Sequence, residues 1–292
     1  MSDDPFVTHR SLLFTVAYEM LGSAADAEDV VQETWLRWAD LGDAARADVR
    51  DGRAYLVRIV TRQALNRLRT LARRREDYVG PWLPEPLLTS PDVADDVELA
   101  DSISIAMLTV LETLGPAERA VFVLREVFET PYDEIADAVG KSPAAVRQIA
   151  RRARDHVAAR RPRMQVDRAE QESVVERFLA ALQGGELQEL LDVLAPDVVV
   201  RADGGGVVNA SRHPIEGALR VAQLLTRFGQ YAPGAVVDTV WVNGARAARI
   251  DLDGELKGAI NLVIEDGRIS RIYAIFNPHK LTRLDAMAEL TR

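Results

Sequence analysis

The sequence predicts a multidomain fold: about 160 helical residues, then an α+β domain with a curved antiparallel sheet. Three observations carry this. Up to about residue 160, apolar residues recur at helical spacing, with capping residues and glycines at the ends of the runs. After about Val166, strand-like runs dominate, and two pairs of them are separated by Asp253-Gly254 and Asp266-Gly267, which are hairpin signals. Between the helical units, residues 76–105 carry eight acidic and no basic residues, with three prolines in Tyr78–Leu87.

In order, Phe6 to Leu21 reads as one helix, ended by Gly22. Ser23 caps the next, to about Ala39, with Asp26 as a capping-box carboxylate. A long helix spans about 52–75. Tyr78–Leu87 cannot be regular helix, yet Tyr78, Trp82, Leu83, Leu87 and Leu88 are apolar enough to pack on something. Helices follow at about 103–114 and 116–128. Thr130 and Pro131 then start a short helix that Gly140 ends, and Ser142-Pro143 starts another. Arg161–Val166 is a domain junction. Beyond it come helices at about 169–183 and 186–194. Strands are expected at 198–202, 236–242, 247–252, 255–265 and 268–276, with a helix at 214–228 and a last one after Asn277-Pro278.

The 292 residues include no cysteine, which excludes a disulfide framework and thiolate metal sites. The four histidines have no ligand spacing, so no metal or other cofactor is expected. No signal peptide or membrane-length apolar run is present, which predicts a cytoplasmic protein without a membrane partner. The net charge of −9 hides two basic blocks. Residues 46–75 hold ten arginines against two acids, and residues 141–163 hold eight basic residues against Asp155. The acidic blocks disfavour free association with phosphate backbone.

Three surfaces carry the functional reading. The pair of short helices at 130–154 is a helix-turn-helix. Val146, Ile149, Ala150, Ala153 and Val157 face inward, and Arg147, Gln148, Arg151, Arg152 and Arg154 face out, as a recognition helix requires. In helix 52–75, Arg58, Arg62, Asn66, Arg69 and Arg73 form a polar stripe behind Tyr55. That combination suits phosphates and exposed bases. In helix 23–39, Asp26, Asp29 and Glu33 share a face, which is either a solvated acidic surface or a dock for a basic helical partner.

Together these motifs over residues 6–160 resemble a bacterial RNA polymerase sigma factor of the extracytoplasmic-function (ECF) group. Asp26–Trp38 is similar to the family's region 2.2, which implies that Asp26, Asp29, Gln32, Glu33 and Trp35 bind the β′ clamp helices of core polymerase. Ala54–Arg69 resembles regions 2.3 and 2.4, which implies −10 contacts by Tyr55, Arg58, Arg62, Asn66 and Arg69. Tyr55 stands where the family usually has Trp, and Gln63 where it often has Asn. The helix-turn-helix resembles region 4.2, which implies −35 contacts by Lys141, Ala144, Arg147, Gln148, Arg151 and Arg152, with the β flap as a further partner. Tyr78–Leu87, Asp203-Gly-Gly-Gly206 and Asn277–Leu281 resemble the subgroup with a fused SnoaL-like domain of NTF2-like cone fold. That implies cis control through interdomain contacts of Trp82, Leu83, Asp203, Gly204, Gly205, Gly206, Asn277, Pro278 and Lys280.

The expected organisation is region 2 at 1–76, a linker at 77–105, region 4 at 106–163 (helix-turn-helix about 131–151) and the SnoaL-like domain at 167–292. The expected function is promoter-specific transcription initiation, without enzyme activity. The cone also leaves room for a small ligand of unidentified chemistry, with Asp203, His213, Tyr231, Trp241, Asn261 and Phe276 as candidate pocket or interface groups. The alternative is a ligand-responsive helix-turn-helix regulator that binds duplex DNA without polymerase.

Overall fold

The computed structural model describes residues 4–161 and 168–292, without the side chains of 43, 72–76, 168, 229 and 231. The junction expected at 161–166 therefore lies largely outside the described residues, as do the side chains of Arg73 and Tyr231.

The N-terminal helices are α1 (Pro5–Leu21), α2 (Ala24–Ala39), α3 (Asp43–Ala47) and α4 (Gly52–Glu76). Gly22 ends α1 in the left-handed conformation. Ser23 caps α2 by accepting the Asp26 amide at 3.2 Å. The expected capping-box role of Asp26 is corrected: its carboxylate pairs with Arg67 on α4 at 3.1 Å.

The acidic segment forms α5 (Pro91–Asp95) and α6 (Val97–Ile103), and α7 (Ile105–Leu111) follows. The helix expected at about 103–114 is α7, which starts after Ser104, whose ψ is 144° and whose hydroxyl caps it. Then come α8 (Pro116–Phe122), a π-helical turn at Val123–Val127, α9 (Tyr132–Val139) and α10 (Pro143–Ala158). Thr130 does not cap α9. Pro131 occupies the cap position without a side-chain bond, and Thr130 is buried instead. Gly140 and Ser142 play the parts their sequence positions predict.

The C-terminal unit has α11 (Arg168–Gly184), α12 (Leu187–Val193), β1 (Leu194–Asp203), β2 (Ile215–Glu216), α13 (Ala218–Leu225), α14 (Phe228–Tyr231), β3 (Val236–Val242), β4 (Ala245–Leu252), β5 (Glu255–Glu265) and β6 (Arg268–Ile275). The six strands run in the order β2-β1-β6-β5-β4-β3, with bulges that bend the sheet. The sheet is mixed, not antiparallel: β1 and β6 are parallel, and the long connection this needs is supplied by β2, α13, α14 and β3–β5. The expected helix after Asn277-Pro278 is only a 3₁₀ turn, Pro278–Lys280.

Packing departs most from three independent units. Helices α1, α2 and α4 share one continuous apolar core with α8, α9 and α10, from Leu13, Val30 and Leu56 to Ile135 and Val157. Leu290, near the C-terminal end, also enters this core. One face of the sheet buries Val200, Ile250, Ile260 and Ile272 against Val174, Val175 and Phe178 of α11. The other face buries Val242, Ala259, Val263 and Tyr273 against Leu83, Ile105 and Ala106. The C-terminal domain thus lies directly on the linker and α7, in what we call the closed arrangement.

Candidate polymerase, promoter and interdomain surfaces

Helix α2 buries Ala27, Val30, Val31, Thr34 and Trp38, and turns its acidic side outward. Gln32 and Glu33 are exposed, and Trp35 lies at the surface against Phe6, ring centroids 5.0 Å apart. Asp29 is exposed but paired with Arg67 at 2.5 Å, so Arg67 holds both Asp26 and Asp29. Sequence reasoning did not single out Arg67, because one arginine among ten carries no distinguishing signal.

Helix α4 buries Leu56, Val57, Val60, Ala64, Leu65 and Leu68, which leaves the stripe facing outward. Arg62, Asn66 and Arg69 are exposed, and Tyr55 and Arg58 are half-buried. The Arg58 guanidinium lies 5.1 Å from the Tyr55 ring centroid. Both side chains line two cavities. One, of about 230 Å³, is lined by Arg37, Tyr55, Arg58, Ile59, Arg62 and Gln63. The other, of about 370 Å³, opens toward Glu134 and Asp137 of α9. Arg62 donates to the Asp137 carbonyl at 2.7 Å, so the stripe meets the first helix of the helix-turn-helix.

Lys141, in the turn before α10, and Ala144, Arg147, Gln148, Arg151 and Arg152 on it are all solvent-exposed. The buried stripe Val146, Ile149, Ala150, Ala153 and Val157 fixes that orientation.

The three motifs of the linker and C-terminal domain meet at Asp203, the last residue of β1. Its carboxylate is fully buried. It accepts the Tyr78 hydroxyl at 2.6 Å, the amides of Leu83 at 2.8 Å and Gly205 at 3.0 Å, and the Lys280 ammonium at 2.8 Å. Lys280 also donates to the Leu83 carbonyl at 2.5 Å and lies 3.9 Å from the Trp82 ring centroid. Asn277 donates to the Tyr78 hydroxyl at 2.8 Å, and its terminal amide leaves no room for a Cβ at Gly205, whose φ is +61°. A Cβ at Gly204 would strike the Val208 carbonyl, and one at Gly206 would press on Val79. Pro278 opens the turn that brings Lys280 inward. Burial, then the Asp203 carboxylate, raises the Tyr78 phenol above its ordinary range. The lysine facing Asp203 thus comes from position 280, while Val207, next to the glycines, is exposed.

A second polar centre was not singled out from sequence. Asn243, in the β3–β4 turn with φ +53°, is buried between units. It accepts the Leu87 amide at 2.8 Å and donates to the Tyr18 hydroxyl and the Ile103 carbonyl, both at 2.7 Å. The Asn243-Gly244 dipeptide between two strands was the available signal. Beside it, Arg119 of α8 donates to the Glu19 carbonyl at 3.0 Å and pairs with Glu112. The Glu19 carboxyl accepts the Ser102 hydroxyl at 2.8 Å, and its other oxygen has no partner.

Burial pushes the Glu19 carboxyl up to about 8, against the Ser102 bond and the Arg119 charge. Burial likewise lowers Arg119, to about 9. Since the folded pKa of Glu19 lies above its ordinary value of 4.5, its stabilising contribution is complete below that value and is lost as pH rises through about 8. Urea unfolding is therefore expected to show stability falling between about pH 4.5 and about pH 8, with no further loss from this group above that. Glu19→Gln should flatten that slope, and an unchanged slope would exclude Glu19 as its source.

Of the other C-terminal groups, His213 is exposed, Asn261 is buried with its amide nitrogen unpartnered, and Trp241 stacks under Arg246 at 5.2 Å. Phe276 lies against Gly258, where a Cβ would strike its ring. Trp241 also lines a crevice of about 240 Å³ shared by α6, α11, β5 and Arg161. The described residues contain no cluster able to hold a metal and no helix long and apolar enough to cross a membrane.

Residues 6–74 match the Sigma-70 region 2 family model, and residues 104–157 the Sigma-70 region 4 model. The chain is 36% identical to the ECF RNA polymerase sigma factor SigJ of Mycobacterium tuberculosis H37Rv over 296 residues, 97% of this chain and 94% of that protein. It is 35% identical to M. tuberculosis SigI over 282 residues, 95% and 94% of the two chains. The crystal structure of M. tuberculosis SigJ superposes with a TM-score of 0.76 at 33% identity, covering 94% of this chain and 96% of that one. That superposition takes in both helical sigma regions and the α+β domain with its mixed sheet. The chain belongs to the ECF RNA polymerase sigma factor family.

Proposed function

We propose that this sigma factor directs promoter-specific transcription initiation and is restrained in cis by its C-terminal domain. Asp26, Asp29, Gln32, Glu33 and Trp35 dock on the β′ clamp helices. Tyr55, Arg58, Arg62, Asn66 and Arg69 open and read the −10 element, and the cavity beside Tyr55 takes an extruded base. Lys141, Ala144, Arg147, Gln148, Arg151 and Arg152 read the −35 element, with region 4 on the β flap. The functional units divide at about residues 76, 105 and 163–167.

One observation carries the reading of cis control: the two DNA-reading regions share a single apolar core, and Arg62 is bonded to α9. A stripe packed against the other reader cannot meet a −10 element while that reader spans the −35 element. The Asp203–Lys280 pair and Asn243 hold the C-terminal domain across this closed body. A small ligand of the C-terminal domain would act by shifting this equilibrium, and the crevice beside Trp241 is the candidate place.

The test is run-off transcription with purified core polymerase, comparing the full chain with a form cut after about residue 165. Promoter-specific transcript is expected from both, with more per molecule from the cut form. No transcript from either would overturn the promoter reading, and equal activity would overturn cis control.

A further inference from the structure

Glu85 belongs neither to the DNA-reading surfaces nor to the Asp203 cluster. It reaches from the linker to the start of α2. One carboxylate oxygen accepts the amides of Ala24 and Ala25 at 2.7 and 3.2 Å, and the other accepts the Ser23 hydroxyl at 2.7 Å. The Glu85 amide donates to the Gly22 carbonyl at 2.9 Å, and the Tyr18 hydroxyl donates to the Glu85 carbonyl at 2.7 Å.

The first amides of a helix have no intrahelical acceptor, and a negative charge there is favoured by hydrogen bonding and by the helix dipole. Within α2 itself, Ser23 serves only the Asp26 amide, and the first-turn acid, Asp26, is turned to Arg67. The linker therefore supplies the carboxylate that the local sequence lacks. Pro84 and Pro86 flank Glu85 and stiffen its backbone. Just before them Leu83 is gripped by Asp203 and Lys280, and just after them Leu87 is gripped by Asn243. A short, rigid path thus joins the C-terminal domain to the first turn of α2.

We propose that Glu85 is a positioning residue for polymerase docking: its carboxylate completes the N-terminal turn of α2, so the C-terminal domain, by placing the linker, sets the order of the docking face. This rests on the assignment of α2 as the docking helix. It gives the C-terminal domain a supporting role in core binding, separate from its hold on the two DNA readers.

The test is equilibrium binding of labelled full-length protein to purified core polymerase, with hydrogen exchange at the amides of Ala24 and Ala25. Glu85→Ala is expected to speed that exchange and to weaken core binding about tenfold, the usual scale for loss of a helix cap. Adding Ala25→Glu, at an exposed first-turn position, returns a carboxylate to the helix start without the linker and should recover most of the affinity. Glu33→Ala, which alters the docking face alone, is the control. If Glu33→Ala weakens binding while Glu85→Ala binds as tightly as the parent, or more tightly, the proposal is overturned and the docking assignment stands. Absence of recovery by Ala25→Glu overturns it as well, since the loss would then lie elsewhere. If neither Glu33→Ala nor Asp29→Ala weakens binding, α2 is not the docking helix, and both readings fall.

Discussion

Lys280→Met is expected to destabilise the closed arrangement by about 3–5 kcal/mol, the scale for removing one member of a buried ion pair. The methionine keeps most of the stem volume but strands the Asp203 carboxylate, which is fully buried and has Lys280 as its charged partner. Tyr78 and the amides of Leu83 and Gly205 still donate to it, but none of them brings a positive charge. The Leu83 carbonyl loses its ammonium donor, and Trp82 its cation. In urea unfolding followed by tryptophan fluorescence, the first transition should move to markedly lower denaturant, and limited proteolysis of the linker should accelerate. The double variant Asp203→Asn with Lys280→Met should recover more than half of the loss, because it removes the stranded charge. A single-variant loss below about 1 kcal/mol, the level of an exposed pair, would mean that this cluster does not hold the interface.

Arg147→Ala combined with Arg151→Ala is expected to reduce promoter-specific transcription by about a hundredfold or more, at about 1–3 kcal/mol per base-reading arginine. Both side chains are solvent-exposed, so stability should change by no more than about 0.5 kcal/mol. The two variants thus separate the two kinds of surface: Lys280→Met changes stability, and the arginine pair changes DNA recognition. Measured with holoenzyme on promoter DNA, the slope of log binding constant against log salt should fall by roughly 2 if both arginines also meet phosphates. Transcription within a factor of three of the parent would remove α10 as the −35 reader.

Local signals were the most legible. Gly140 and Ser142-Pro143 place the turn of the helix-turn-helix, and Asp253-Gly254 and Asp266-Gly267 place two hairpins, all with positive φ at the glycines. The same kind of signal at Asn243-Gly244 was passed over, and with it the residue that joins the C-terminal domain to Tyr18 and Leu87. Thr130 shows the limit of cap reading, since a proline at the following position took the cap. The helix expected after Asn277-Pro278 failed because its first turn is held by Asp203 and Tyr78, which periodicity cannot see.

Sequence by itself determined the order of the longer helices and strands, the outward face of each basic helix and the family, because helical periodicity, caps and motif spacing act over a few residues. Tertiary structure alone decided what those faces meet. Arg67 takes Asp26 and Asp29, Arg62 takes α9, Glu85 caps a helix far from it in the chain, and β1 pairs in parallel with β6. The reason is physical. A buried charge or an uncapped helix amide must find a partner, and the partner is whichever group the packed core brings within 3 Å, at whatever distance along the chain.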